Sequence, residues 1–197
     1  MKPILLAAIV VTAYPTVNNQ ELILPIKGTS KVNAGYYQKR GKKIHGAIDQ
    51  NTPVGTPIRA IADGVVTNVY SQRRYMRETV RIMRKLKLKP SYSWSIAKKR
   101  LRRCRCLGKI RRLSRSPWIS GAYITIEHKT DKGIVFKSQY MHMSKIFLPS
   151  GQKVKQGDII GLSGNTAIIY NKPHLHFQIR RRGVKRNPKK YIKGFEN

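Results

Sequence analysis

The chain has 197 residues, 40% of them hydrophobic, which is enough for one packed domain and excludes wholesale disorder. Its 41 Lys and Arg against 8 Asp and Glu give a formal charge of +33, so an anionic partner is expected: nucleic acid, an anionic membrane surface or the polyanions of a bacterial envelope. No apolar run approaches the ~18–20 residues of a spanning helix, and the two cysteines, Cys104 and Cys106, form no disulfide framework and no ligand motif of their own, reading as plain thiols.

Residues 1–20 open with Met1-Lys2-Pro3, an apolar run from Ile4 to Val11 and Thr12-Ala13. That is the charge and hydropathy order of a short export signal, with a buried first strand as the alternative. Residues 21–26, 43–49 and 57–70 read as strands parted by turn-rich text, and Asp63-Gly64, ahead of the run from Val65, signals a hairpin.

Between residues 71 and 118 the character changes. Eighteen Lys or Arg face a single acid, Glu78, so this stretch carries +17, half of the chain's charge. It is expected to be an inserted basic helical module. Met76, Val80, Met83 and Leu86 recur at helical spacing, predicting an amphipathic helix over residues 73–89 that stops before Pro90. A second helix should follow, capped by Ser93 or Ser95, with Ile96, Leu101 and Cys104 as a weak apolar stripe. Strand text then returns: residues 122–128 and 134–142 as a hairpin across Asp131-Lys132-Gly133, residues 154–162 with a turn at Gln156-Gly157-Asp158, and residues 174–180. The main domain thus comprises residues 21–70 and 119–197, with 71–118 inserted.

Two short patterns carry the chemistry, His45-Gly46-Ala47-Ile48-Asp49 and His174-Leu175-His176. If each is extended, the even spacing puts both members of a pair on one strand face, where one ion could collect them. Two imidazoles and a carboxylate are the donor set of many hydrolytic zinc sites, which keep the fourth position for water. Between them lies Tyr140-Met141-His142-Met143-Ser144. Taken singly, each pattern is common by chance, and a strand histidine is more often a satisfied polar residue than a ligand.

In this order the pieces resemble the LytM/lysostaphin-type zinc endopeptidases, which cleave peptide bonds in the stems or cross-bridges of bacterial peptidoglycan. The resemblance covers residues 22–70 and 119–192 and extends to Gly55-Thr56-Pro57-Ile58-Arg59-Ala60, Ala62-Asp63-Gly64-Val65-Val66, the segment from Val154 to Gly161, and Asn187-Pro188. It implies that His45, Asp49 and His176 bind one zinc ion and that His142 and His174 are catalytic. His174 would be the general base and later the proton donor to the leaving amine, with His142 holding that base or stabilising the oxyanion. It also implies a mainly β fold of the duplicated hybrid motif kind, with antiparallel sheets forming a groove and the helical insertion outside it.

The chain departs from the family pattern at Ala47 and Ala167, where glycine is usual, and at Gln178, where glutamate is usual; these bear on loop shape and substrate choice. His128 reads as structural, and Tyr36 and Tyr37 as packing or surface residues, although some relatives face a tyrosine to the substrate near here. The expected location is the bacterial envelope, periplasmic or extracellular, or a phage-associated context. The insertion, with Tyr92, Trp94 and Trp118 among its charges, is expected to hold the enzyme on teichoic acid, lipopolysaccharide or anionic lipid. Its deletion (residues 73–116) should weaken wall binding and spare small soluble muropeptides. Two competing readings are a non-catalytic wall-binding or activator homologue, which a full set of ligands and catalytic histidines argues against, and a basic nucleic-acid-binding protein.

Overall fold

A computed structural model of the chain describes residues 16–17, 21–92, 94–104, 120–166 and 172–196. Its strands are β1 (Thr16–Val17), β2 (Lys39–Arg40), β3 (Lys43–Ile44), β4 (Ile48–Asn51), β5 (Pro57–Arg59) and β6 (Gly64–Tyr70). After helices α1 (Gln72–Lys85) and α2 (Trp94–Arg103) come β7 (Tyr123–Thr130), β8 (Val135–Met141), β9 (Lys145–Ile146), β10 (Lys153–Val154), β11 (Ile159–Leu162), β12 (His174–Arg181) and β13 (Val184–Arg186). The expected mainly β class with antiparallel sheets is what the molecule has.

The larger sheet runs β10-β6-β7-β8-β12-β13, with β4 added to β12 and β1 to β7; a smaller one runs β5-β11-β9. All its pairings are antiparallel except β1 with β7. Residues of both sheets meet in one apolar core that includes Ile58, Ile124, Ile126, Tyr140, Ile160 and Phe177, all fully buried. Tyr140, from the Tyr-Met-His motif, belongs to this core: its ring lies 5.2 Å from that of Phe177 and its hydroxyl accepts the Ile61 N–H at 3.0 Å. That bond lets a buried phenol pack without an unmet polar group.

Three sequence expectations fail locally. Residues 21–26 form no strand; Pro25 has no amide proton for a ladder, and the segment is tied instead by Ile23 N–H to the Ile61 carbonyl. Residues 43–49 are broken at Gly46, whose φ of +68° ends β3 before β4 begins. Asp63-Gly64 joins no hairpin: β5 pairs with β11, and β6 with β7 and β10. The Asp63 carboxylate explains why a turn forms there without strand pairing, since it accepts the Gln156 N–H at 2.8 Å and Lys155 Nζ at 3.1 Å across the fold.

Helix α1 starts where Ser71 accepts the Arg74 N–H and ends earlier than Pro90, at Leu86, where Lys87 takes a φ of +56°. Its buried residues are Tyr75, Thr79, Val80, Ile82 and Met83; the expected Val80 and Met83 are among them, Leu86 packs partly buried beside them, and Tyr75 is buried in place of Met76. In α2 the buried residues are Ala97, Lys98 and Leu101, while Ile96 is exposed and Ser95 lies inside the helix rather than at its cap. The two helices share a small core of Ile82, Met83, Ala97 and Leu101. Cys104 is disulfide-bonded, not a plain thiol. Cys106, Ser93, Trp118, Ala167 and residues 1–15 lie outside the described residues, as does the side chain of Trp94.

Candidate metal and catalytic site

Strand pairing, rather than a shared strand, brings the two motifs together. In the β4–β12 ladder Asp49 is the direct partner of His176, so their side chains share a face. His45 precedes the Gly46 break and folds back over the same face. Its Nε2 lies 3.2 Å from Asp49 Oδ1 and 3.1 Å from His176 Nδ1, and His176 Nδ1 lies 2.7 Å from the same Asp49 oxygen. All three residues are buried.

This cluster fits a small divalent cation. Donors bound tetrahedrally at zinc's ~2.0–2.2 Å stand roughly 3.3 Å apart, so a slight spreading of the present triangle would admit the ion. The tautomers agree. His45 Nδ1–H donates to the Gly35 carbonyl at 3.2 Å, leaving a lone pair on Nε2 toward the cluster. Gln178, two residues beyond His176 on the same face, brings its amide 2.8 Å from His176 Nε2. An amide can meet either tautomer by turning over, so Gln178 can accept the Nε2 proton that a cation on Nδ1 requires.

Charge reinforces the arrangement. Burial pushes Asp49 up, but its close contacts with the His176 and His45 rings outweigh it and hold the carboxyl well below its usual range. Arg40 also donates to Asp49 Oδ2 at 2.8 Å, which leaves Oδ1 directed at the imidazoles. Burial lowers His176, against the pull of Asp49. The lowering favours the neutral His176 imidazole, the form whose ring nitrogen can bind a cation.

His142 and His174 stand beside the cluster. Their ring centroids are 4.5 Å apart, and that of His142 is 5.5 Å from His176. His174 Nδ1–H donates to the Lys172 carbonyl at 2.9 Å, which puts its basic lone pair on Nε2. His142 follows β8 with a φ of +65°, a left-handed conformation that few residues with a side chain adopt, held by its N–H to the Ser120 carbonyl at 3.0 Å. Burial first, then the neighbouring His176 and His174, lowers its pKa well below the ordinary value. It is a neutral imidazole in a dry place.

The remaining candidates fall elsewhere. His128 is fully buried between two neutral partners, its Nδ1–H donating to the Asp63 carbonyl at 2.8 Å and its Nε2 accepting from Ser138 at 2.7 Å. The Tyr36 hydroxyl donates to the Lys185 carbonyl at 2.9 Å, and Tyr37 is exposed. Arg40 is a contact that motif reading missed, and Gln178, read from the sequence as bearing on loop shape and substrate choice, touches His176. The second was open to period-two reasoning from His176; the first depends on how the β2–β3 hairpin folds back.

Residues 106–188 match the model of peptidase family M23. An uncharacterized metalloprotease of Buchnera aphidicola is 31% identical over 153 residues, 77% of this chain and 27% of the relative. The peptidoglycan DD-endopeptidase ShyA of Vibrio cholerae is 41% identical over 71 residues, 36% of this chain and 15% of the relative. The chain thus spans about a quarter or less of the length of these relatives. A zinc-containing peptidase from Vibrio cholerae superposes with a TM-score of 0.55 at 23% identity, over 85% of this chain and 39% of that one. These matches show that residues 106–188 are similar to peptidase family M23 and that the chain shares the fold of the superposed peptidase.

Proposed function

We propose that the protein is a zinc-dependent endopeptidase that hydrolyses peptide bonds in peptidoglycan stems or cross-bridges, acting in the bacterial envelope. The observation that carries this reading is the convergence of His45 Nε2, Asp49 Oδ1 and His176 Nδ1 within 2.7–3.2 Å of one another, beside two further histidines. Those three atoms would hold one ion, and zinc bound there would supply Lewis acidity toward the scissile carbonyl and its attacking water.

The chain's own residues do the rest. His174, fixed by Lys172, takes the water's proton at Nε2 and returns it to the leaving amine. His142, kept neutral by burial, donates an N–H to the charge that develops on the carbonyl oxygen. Arg40 keeps the Asp49 carboxylate turned toward the ion.

Exposed Arg77, Arg81 and Arg84, one row along α1, support a second role in adhesion to anionic envelope polymers. A nucleic-acid role would predict binding that falls steeply with salt and ignores chelator. The decisive experiment incubates the purified protein with peptidoglycan, with and without chelator, and identifies new amino termini by mass spectrometry. Chelator-sensitive release of a new amine is expected; no new amine would refute the peptidase reading.

A further inference from the structure

Resting on that reading, we infer that Lys98 of α2 is a positioning residue, coupling the basic insertion to both catalytic histidines through the loop of residues 163–166. Among so many solvated basic residues Lys98 is only 8% exposed. Its ammonium donates to Asn165 Oδ1 at 2.8 Å and reaches the Asn165 carbonyl at 3.5 Å. Burial, and then the charge of Arg102, brings its pKa down to about 8. Holding a cation there is unfavourable unless the geometry it imposes is useful.

The residues on either side of Asn165 touch the two histidines. The Gly164 carbonyl accepts the His174 N–H at 3.2 Å, and the Thr166 N–H reaches the His142 carbonyl at 3.5 Å. Thr166 Oγ1 also accepts the Ala122 N–H at 2.9 Å and donates to the Met143 carbonyl at 3.1 Å. Gly164 is pressed so closely on Ser144 and the His142 carbonyl that a side chain there would collide with the backbone. A displacement of Asn165 would therefore be passed to both histidine backbones through the bonds of Gly164 and Thr166. The small core of Ile82, Met83, Ala97 and Leu101 fixes where α2 places Lys98. The insertion is thus part of the catalytic frame, and its deletion is not expected to spare small substrates.

Lys98→Met and Lys98→Arg test this against the unaltered protein. With a soluble cross-linked muropeptide, Lys98→Met should lower kcat about tenfold with KM held, while Tm and zinc content stay level or rise; Lys98→Arg, which keeps a donor, should recover most of kcat. A purely structural lysine would shift Tm and leave kcat unmoved well below it, and that result overturns the inference. Ring NMR signals provide a readout independent of turnover: those of His142 and His174 should move in Lys98→Met while His128 stays put. Unmoved His142 and His174 signals overturn the inference even if the unaltered chain cleaves nothing, an outcome that would separately sink the peptidase reading.

Discussion

The β domain and the helical insertion solve the problem of charge in opposite ways. In the β domain buried polar groups meet named partners: Asp49 faces two imidazoles and Arg40, His45 faces Gly35, and His128 faces Asp63 and Ser138. The insertion carries eighteen basic residues with one acid, and among its described residues the core is a few side chains. Such a module is self-repelling and leans on its neighbour. The difference teaches that the site owes its geometry to pairing and register, whereas the described part of the insertion is held by anchors such as Tyr75 near Tyr70 and Lys98 on Asn165.

The sharpest way to break this comparison is to divide the site's own histidines. His176→Ala should lose both bound metal and turnover, whereas His174→Ala should lose turnover by at least ~10³-fold and keep its metal by elemental analysis. Equal metal loss in both would erase the assigned division. Next in size, Phe177→Ala should cost about 3–5 kcal/mol of global stability in urea unfolding, while Met83→Ala should cost about 2–3 kcal/mol and first expose α1 and α2 to protease. Equal global losses would mean that the helices and the sheets form one cooperative unit.

A smaller effect follows from His128, which burial holds down at about 4. The unfolded chain binds this proton near pH 6.5, so the stability it confers is complete above that value. It should be lost as pH falls from about 6.5 toward 4, by up to about 3 kcal/mol. Denaturant melts across that window check the slope, which should flatten in His128→Gln. Least of all, replacing Arg77, Arg81 and Arg84 with Gln should change stability by under about 0.5 kcal/mol while reducing retention on isolated walls at low salt. Unchanged retention would remove the adhesive role from α1.

Much of this could be read beforehand from pattern. The hairpin over Asp131-Lys132-Gly133 and the turn at Gln156-Gly157-Asp158 were legible because turn residues interrupt period-two runs. The four histidines and one aspartate of the site were legible as motifs, although the reason for their meeting was not. Even spacing suggested that His45 and Asp49 share one strand; Gly46 breaks it, and the ladder partner of Asp49 is His176. Long-range register leaves no local trace in sequence. Nor does the choice of α1's buried face, where Tyr75 and Thr79 displaced Met76 because the helix packs on a neighbour as well as on α2.

The pairing of Asp49 with His176 has one more consequence. β4 has four residues, and slipping it by a single position against β12 would turn Asp49 to the opposite face of the sheet. A cation that needs both groups would bind only the correct alignment, so metal uptake during refolding would act as a proofreading step for this short strand. The time course of uptake would then report when β4 finds its place.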